Sequence, residues 1–476
     1  MLITRKPAAA GPFLVDGSEP MSSVDLAWLE MDRRCNPMVV AAVLELESVP
    51  SLARLIDTVA TRLERHLRFR QCADDTCRPA VWVTQQSIDR RYHFQQRRSR
   101  GPMDALALRR MVGRELMSEL DHSFPLWRLT FFRHGQGHVT VLFRAHHAMA
   151  DGASLMRLLL KLADGVDSDQ PVSAAQPQRP TMTRRGPLAF AINSLEMLNV
   201  QLSGLHNSLL RAREQPLEAM RTLARIAAGT AITLRILALR DNSPPAFHRP
   251  LCGERRVDWS PPLPLGPIQG LAKHYGVSLN DLFLSLLAGA LGRYLRETGP
   301  VGRDAALRVS IPVDLRPAGA PDFGNCFGLV LLDLPIGEQN GRKRLARVAR
   351  LMRKLKQSQE ARAMLMSLQA LGQLPVYVEK TLIEHVAGKA SAVVSNLRGP
   401  EKALSFGGGK LKSAVFWPPQ AGSVGIGVSL LSYDGHLTIG ISCDAAVLAE
   451  PQSVIKSFTD ELTELTIAHR ASETER

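Results

Sequence analysis

Long uninterrupted apolar runs are missing from this sequence of 476 residues. A helix that spans a bilayer needs about 20 consecutive apolar residues, and we find no such run. Residues Met1–Gly17 carry two early cations but no apolar stretch long enough for a secretory signal. We therefore expect a chain that does not cross a membrane and that works in the cytoplasm.

Cysteine is scarce, with six residues spread over the whole chain. The one close pair, Cys72 and Cys77, has no second pair or histidine cluster nearby at the spacing of a zinc site. Scattered cysteines in a large chain without a secretory signal are typical of reduced thiols in the cytosol. The sequence thus predicts neither a disulfide framework nor a metal site.

Aromatic residues make up only 5% of the chain, whereas Lys and Arg outnumber Asp and Glu by 59 to 45. The resulting net charge of +14 favours a polyanionic partner. Nucleic acid is disfavoured, because the basic residues are not interleaved with aromatic ones and no nucleic-acid-binding motif matches. An anionic membrane surface or a phosphorylated ligand fits better, and the alternative is that the charge serves solubility alone.

The length exceeds the roughly 250–300 residues at which one hydrophobic core stops growing, so we expect two domains. Strand-like and helix-like segments alternate on both sides of a central Pro-rich and basic region, which predicts an α/β fold. We assign a flexible N-terminus to residues 1–20, an N-terminal subdomain to 21–167, a linker with basic helices to 168–249 and a C-terminal subdomain to 250–476.

The linker contains a helix-compatible stretch, Leu188–Leu239, in which arginines alternate with apolar residues. Basic amphipathic helices of this kind bind membrane surfaces, with apolar groups at the acyl boundary and cations at the headgroups. The alternative is that these helices pack on the two subdomains. A second cationic helical stretch follows at Arg342–Leu371.

The run His146–Gly152 (HHAMADG) lies where an alternating strand gives way to a helical pattern. Because side chains alternate along a strand, His147 ends the apolar face and His146 points to the opposite face. A neutral imidazole with an ordinary pKa of about 6.5 can take a proton from a hydroxyl group at physiological pH. His147 is therefore the candidate general base.

Asp151 and Gly152 follow across the predicted turn. Asp151 is interpreted either as the N-cap of the next helix or as a carboxylate that holds the loop and orients the histidine. Gly152 permits a tight backbone at the turn. A shared metal ion is disfavoured, because His146 and His147 point in opposite directions.

The run His146–Gly152 resembles the HHxxxDG motif of the CoA-dependent acyltransferase superfamily, which includes chloramphenicol acetyltransferases and peptide-synthetase condensation domains. Further stretches narrow the resemblance to the bacterial wax ester synthase/acyl-CoA:diacylglycerol acyltransferase family. They are Asp25, Trp28 and Glu30 near the start, Pro125-Leu126-Trp127, Asn280-Asp281, Pro312-Val313-Asp314-Leu315-Arg316, Gly324-Asn325, and Ser395-Asn396-Leu397-Arg398-Gly399-Pro400.

The resemblance implies two chloramphenicol-acetyltransferase-like subdomains with the active-site tunnel between them. It implies that His147 deprotonates the hydroxyl group of diacylglycerol or a fatty alcohol, which then attacks the acyl-CoA thioester directly. Acyl-CoA is the co-substrate, and no bound cofactor is implied. Asp151 would hold the loop through an arginine, for which Arg316 is our candidate.

Asn280 is our candidate for stabilising the oxyanion, because the first turn of a helix favours negative charge and its amide is a donor. The alternative is that Asn280 and Asp281 only begin the helix. Pro125, Leu126 and Trp127 are expected to shape the tunnel wall.

Ser395 and Asn396 are expected to contact the pantetheine arm or to fix the subdomain interface. The family has small or branched residues where this chain has Leu397 and Arg398, so Arg398 is an extra cation for CoA phosphates or for solvent.

The sequence thus predicts an O-acyltransferase that makes triacylglycerol or wax ester. We expect it at the inner membrane face or on lipid droplets. One alternative keeps the fold and changes the acceptor to a polyketide or sugar lipid, and another is a non-catalytic lipid-surface protein. The pattern predicts no oligomeric state and ranks neither acceptor above the other.

Overall fold

The computed structural model describes residues 18–76, 80–98, 104–135, 137–165, 238–239, 244–247, 249–316, 325, 327–357 and 388–474. The predicted linker helices between residues 188 and 239 therefore lie almost wholly outside the described part. The helices have the following bounds: α1 Ser23–Glu30, α2 Leu52–Glu64, α3 Arg90–His93, α4 Ala105–Leu116, α5 Gly152–Lys161, α6 Leu265–His274, α7 Leu279–Thr298, α8 Gly341–Gln357 and α9 Pro451–Thr474.

A six-stranded sheet forms the base of the N-terminal half. Its strands, given in chain order, are β2 Val39–Glu47, β5 Phe94–Arg97, β6 Trp127–Gly135, β7 His138–His146, β13 Ser405–Phe406 and β14 Gly409–Trp417. The spatial order is β13-β14-β2-β7-β6-β5, with all pairs antiparallel except β5 with β6. Gly135 at the end of β6 pairs with His138 at the start of β7, so these two strands form a hairpin.

A second sheet lies in the C-terminal half and has the order β11-β10-β12-β15-β16-β8, with β9 also paired to β16. Its strands are β8 Arg255–Trp259, β9 Leu263–Pro264, β10 Leu307–Asp314, β11 Phe327–Leu334, β12 Ala392–Arg398, β15 Ile426–Tyr433 and β16 His436–Asp444. Strand β12 is parallel to both β10 and β15, and the other pairs are antiparallel. The mixed α/β fold with two sheet-containing halves is thus confirmed.

The C-terminal part of the chain supplies two strands, β13 and β14, to the N-terminal sheet. Strand β14 comes from the C-terminal part of the sequence, yet it pairs along β2, with Ala414 opposite Leu44 and Phe416 opposite Ala42. Both residues of the second pair contribute to the packing of the N-terminal core. The N-terminal sheet is therefore complete only when residues beyond 400 have joined it.

A short strand lies within the N-terminal segment that we expected to be flexible. Ser18–Pro20, which we predicted to be flexible, forms strand β1 and pairs with β4 (Val81–Thr84), which in turn pairs with β3 (Gln71–Asp74). The prediction was wrong for these three residues because their backbone groups complete the ladder of a small three-stranded sheet, which composition alone does not reveal.

Helix α7 forms the centre of the C-terminal core. A capping box begins the helix: the Ser278 hydroxyl accepts from the Asp281 amide, and the Asp281 carboxylate accepts from the Ser278 amide. The helix is buried over most of its circumference, from Asp281 to Leu295. Its cap fixes where the helix begins, and so fixes the position of Asn280 in the first turn.

No single helix in the described ranges is long and apolar enough to cross a bilayer. Helices α6 and α7 meet the length and hydropathy requirement only as a pair, and they are bent by 95°. Most of α7 is buried in the C-terminal core, which accounts for its apolar composition.

Candidate active site

The run His146–Gly152 forms the predicted turn between β7 and α5. Strand β7 pairs with β2 up to His146, and the His147 amide then donates to the Met38 carbonyl at 2.8 Å. The Met149 amide closes the turn on the His146 carbonyl at 3.0 Å. Helix α5 begins at Gly152, so the turn between strand and helix holds His147 directly after the end of β7, an interior strand of the sheet.

The His147 side chain packs against two aromatic rings and is only 5% exposed. Its ring stacks on Trp28 of α1 with 4.7 Å between the ring centroids, and it contacts Phe327 of β11 at 5.3 Å. The two aromatic rings also stack on each other at 5.7 Å. The imidazole is thereby fixed by residues from both halves of the chain.

Asn325 ties this aromatic cluster to the backbone of the turn. Its Nδ2 group donates to the His147 carbonyl at 2.9 Å and to Asp25 Oδ1 at 2.8 Å. An amide NH₂ group carries two donors, so one side chain can satisfy both acceptors. Asn325 therefore connects α1, the turn and the segment that precedes β11.

Burial sets the protonation of the two titratable groups beside Asn325. It lowers the pKa of His147 below its usual value, against the opposing effects of Asp151 and Asn325. Burial likewise raises the pKa of Asp25, although Arg68 and the Asn325 hydrogen bond oppose this shift. His147 is consequently neutral at physiological pH, which is the form that can accept a proton.

Asp151 caps α5 and also holds the loop through an arginine, whereas orientation of His147 by its carboxylate stays a prediction. One carboxylate oxygen caps α5 by accepting from the Ser154 amide at 2.8 Å. The other accepts from Arg316 at 2.8 Å, and Arg316 also donates to the Ser154 hydroxyl at 3.0 Å. The predicted Asp151–Arg316 contact is confirmed, and both side chains are less than 10% exposed.

His146 points away from His147, as the strand pattern predicts. Its Nδ1 atom accepts from the Ala148 amide at 3.1 Å, and its Nε2 atom lies 3.8 Å from Asp32 Oδ2. His146 thus supports the turn. Within the described residues no group of three or more His, Cys, Asp or Glu side chains could hold a metal ion.

The Pro125-Leu126-Trp127 segment lies behind the motif. Leu126 and Trp127 are fully buried, and the His146 amide donates to the Leu126 carbonyl at 2.8 Å. The Trp127 indole donates to the Phe69 carbonyl at 2.9 Å and stacks on His93 at 4.0 Å. In this structure the segment packs the core that supports the turn, and its expected role in a tunnel wall stays a prediction.

Strand β12 contacts the first turns of α7 and α5 through two adjacent residues. The Asn396 amide donates to Asn280 Oδ1 at 3.4 Å, while Leu397 lies against Gly152 at the start of α5. Ser395 is buried within the strand. The hydrogen bonds of the described residues place Asn325, rather than Asn280, on His147, so the oxyanion role of Asn280 stays a prediction.

Two cavities adjoin these residues. A cavity of about 280 Å³ is lined by Asn396, Arg398, Gly399 and residues of the β15–β16 hairpin. Arg398 is highly exposed there and pairs with Glu401 at 2.5 Å. An apolar cavity of about 40 Å³ lies between α5 and the N-terminal sheet, with Met156, Leu159, Phe143 and Leu397 in its wall.

Sequence reasoning assigned no role to Asp25, Trp28, Asn325 or Phe327, although all four surround His147. Three of them were visible as family-like positions: Asp25, Trp28 and the Gly324-Asn325 pair. Their spacing gave no reason to bring them together, because Asn325 lies 178 residues from His147 in the chain. Phe327 carried no signal beyond its place in an apolar strand.

We expect Arg316→Met to destabilise the fold by about 3–5 kcal/mol, because it leaves the Asp151 carboxylate buried without its cation. The free energy of unfolding is measured by urea denaturation. The matched control is Arg398→Met, which breaks an exposed pair and should change stability by about 1 kcal/mol or less. Equal losses in the two variants would contradict a structural role for the Asp151–Arg316 pair.

The family models and similar relatives of this chain agree on one protein family. The chain matches the wax ester synthase/diacylglycerol acyltransferase catalytic domain over residues 21–283 and the WS/DGAT C-terminal domain over residues 323–466. A putative diacylglycerol O-acyltransferase of Mycobacterium tuberculosis is 25% identical over 475 residues, covering 94% of this chain and 90% of the relative. A probable diacylglycerol O-acyltransferase of the same species is 26% identical over 370 residues, covering 76% and 78%.

Solved structures show the same fold. The wax ester synthase/diacylglycerol acyltransferase from Marinobacter aquaeolei VT8 superposes with a TM-score of 0.65 at 20% identity, covering 94% of this chain and 99% of that one. The starter condensation domain of rhizomide synthetase, solved with C8-CoA and Leu-SNAC, gives a TM-score of 0.57 at 12% identity, with 94% of each chain covered. Since the catalytic-domain match alone spans more than half of its length, the chain belongs to the wax ester synthase/diacylglycerol acyltransferase family and is an acyltransferase.

Proposed function

We propose that this protein transfers a long-chain acyl group from acyl-CoA to the hydroxyl group of diacylglycerol or a fatty alcohol, with His147 as the general base. The observation that supports this most is the state of His147. Its ring is oriented by Trp28 and Phe327, and its pKa is lowered by burial, so it is neutral and ready to accept a proton.

In the proposed reaction the acceptor hydroxyl group attacks the acyl-CoA thioester directly. His147 takes the proton from the acceptor hydroxyl group while the hydroxyl oxygen bonds to the thioester carbonyl carbon. The carbon–sulfur bond then breaks, and the imidazolium returns the proton to the CoA thiolate. The products are an ester and free CoA, and His147 ends in its neutral form. Asn280 is our candidate donor to the oxyanion, on the strength of its place in the first turn of α7.

Asn325 would act in this mechanism as a positioning residue. It holds the His147 carbonyl and the Asp25 carboxyl group through one amide. Because the ring is attached to the same short backbone segment, this contact restricts the direction in which the imidazole points. Asp151 would position the turn from the other side through Arg316 and the cap of α5.

The two cavities are suited to the two parts of the substrates. The apolar cavity beside Gly152 would take an alkyl chain, and its volume of about 40 Å³ means that flexible side chains such as Met156 must move aside. The larger of these two cavities, which has Asn396 and Arg398 in its wall, would take the amide-rich pantetheine arm of acyl-CoA. Leu397 and Asn396, which are adjacent on β12, would then separate the chain from the arm.

The acceptor in this proposal is a lipid, so the enzyme has to reach a lipid surface. We therefore propose peripheral association with the inner face of the membrane or with lipid droplets. Acyltransfer to a polyketide or a sugar lipid is the alternative that an acceptor panel would reveal.

We expect the purified protein to release free CoA from palmitoyl-CoA only when an acceptor alcohol, such as diacylglycerol or hexadecanol, is added. His147→Ala should lower this rate by about 100-fold or more, because the general base is lost. The release is measured with a thiol reagent. His138→Ala, at the exposed start of β7, is the matched control and should keep the wild-type rate. Full activity of His147→Ala would overturn the mechanism, whereas turnover with polyketide or sugar lipids alone would change the acceptor.

The pH profile of kcat/KM should fall on the acid side with a midpoint below 6.5, since the lowered pKa keeps His147 neutral to a lower pH. Asn325→Ala should lower kcat by about 10-fold to 100-fold through misplacement of the ring. It should also move the midpoint to still lower pH, because the Asn325 hydrogen bond raises the pKa of His147. Asn325→Gln keeps the amide donor and should restore part of kcat and part of the shift in the midpoint. If Asn325→Ala lowers only the amount of folded, active enzyme and leaves the midpoint unchanged, Asn325 is a purely structural residue.

Changing the size of residue 156 should change chain-length preference. Met156→Phe fills the apolar cavity and should lower activity with palmitoyl-CoA relative to butyryl-CoA, while Met156→Ala should have the opposite effect. The ratio of the two rates is the measurement. Leu106→Phe, at an exposed position, is the control. An unchanged ratio in both Met156 variants would show that the alkyl chain binds elsewhere.

A further inference from the structure

Helix α8 has charges of one sign only. Its 17 residues, Gly341–Gln357, include eight lysines and arginines and no aspartate or glutamate. One face of the helix is buried in the C-terminal core through Leu345, Val348, Ala349 and Met352. The helix is thus fixed in position by its apolar side, and its other side is directed outward.

The one buried cation of α8 is bound within the protein. Arg344 is fully buried, donates to the Ser285 carbonyl at 2.9 Å and pairs with Glu461 of α9. It anchors α8 between α7 and α9. Arg344 is therefore a structural residue and is separate from the outward charges.

The other seven cations form an exposed surface, which we call the α8 cationic face. At 100° per residue they fall within about half of the helix circumference. From the first to the last of them the helix rises by about 21 Å. The α8 cationic face consists of Arg342, Lys343, Arg347, Arg350, Arg353, Lys354 and Lys356.

No carboxylate in the described part of the chain pairs with these seven side chains. Arg342 donates to the Ala468 carbonyl at 2.6 Å, which leaves its charge uncompensated. Exposed arginines elsewhere do have acidic partners, as in the pairs Arg90–Asp57 and Arg256–Glu254. Seven like charges on one rigid face repel one another, so this face is adapted to an external anion rather than to the protein itself.

We propose that the α8 cationic face docks the enzyme on an anionic phospholipid surface. A fixed face about 21 Å long matches an extended layer of lipid phosphates, to which each lysine or arginine is attracted at close range. Helix α8 contains no aromatic residue that could stack on a base, which disfavours a single-stranded nucleic acid. The choice of a lipid partner rests on the proposed function, in which the acceptor is a lipid.

The test is co-sedimentation of the full chain with phosphatidylglycerol-containing vesicles and with phosphatidylcholine vesicles at low salt. We expect binding to the anionic vesicles only. The triple variant Arg347→Gln/Arg350→Gln/Lys354→Gln should bind them about 100-fold more weakly, at roughly five-fold for each cation removed. Raised salt should weaken the wild-type protein in the same way.

The matched control removes three exposed cations from helices α2 and α4, in Arg54→Gln/Arg110→Gln/Arg114→Gln. It has the same net charge as the triple variant and should bind vesicles nearly as well as the wild type. Equal losses in both variants would show that net charge alone acts, and preferential binding of duplex DNA over vesicles would give the face another partner. Either result would overturn the proposal.

CoA release in solution with a short, soluble alcohol separates this proposal from the proposed function. The triple variant should keep the wild-type rate there and lose activity only with diacylglycerol held in anionic vesicles. Vesicle binding that depends on α8, in a protein without any turnover, would support the docking surface and reject the acyltransfer to lipids. Turnover without α8-dependent vesicle binding would support the acyltransfer and reject the docking surface.

Discussion

The amide group of Asn325 is the contact on which the candidate site depends. It satisfies two acceptors that are shielded from water, the His147 carbonyl and the Asp25 carboxyl group. A buried polar group that loses its partner costs about 1–3 kcal/mol, so both acceptors favour the same position of this side chain. Through it, helix α1, the turn after β7 and the approach to β11 are held in one arrangement, and the rings of Trp28 and Phe327 both pack against the imidazole.

The aromatic enclosure and the polar contacts have opposite effects on His147, and the difference between them determines its chemistry. Removal from water disfavours the imidazolium, whereas the charge of Asp151 and the Asn325 hydrogen bond favour it. Burial is the largest effect, so the pKa is lowered and the neutral base prevails. Asp151 contributes its charge at a distance while its oxygens are occupied by Ser154 and Arg316. The carboxylate therefore serves the turn without holding the imidazole itself.

The positive charge of the protein is not distributed evenly. The arginines that are buried, such as Arg344 and Arg316, have carboxylate partners, because an unpaired buried charge would destabilise the fold. The other seven cations of α8 are exposed and have no carboxylate partner within the described residues. The excess that the composition shows as a net charge of +14 is thus in part a local feature of one helix. That helix belongs to the C-terminal half of the sequence and is not part of the basic linker, which we assigned to residues 168–249.

The sequence alone was sufficient where structure depends on near neighbours. It predicted the strand, turn and helix around His146–Gly152. It also predicted the pairing of Asp151 with Arg316, through the family resemblance. Periodicity, caps and turns are short-range properties, so a stretch of a few residues is enough to specify them.

Only the tertiary structure decided what surrounds His147. Asn325 reaches its carbonyl from 178 residues away, and β14 enters the N-terminal sheet beside β2 from the far end of the chain. Such contacts depend on how two cores pack and on which buried polar groups can satisfy one another, and no local pattern records either. The sequence therefore determined the candidate base and its turn, whereas the fold determined its protonation, its orientation and its partners.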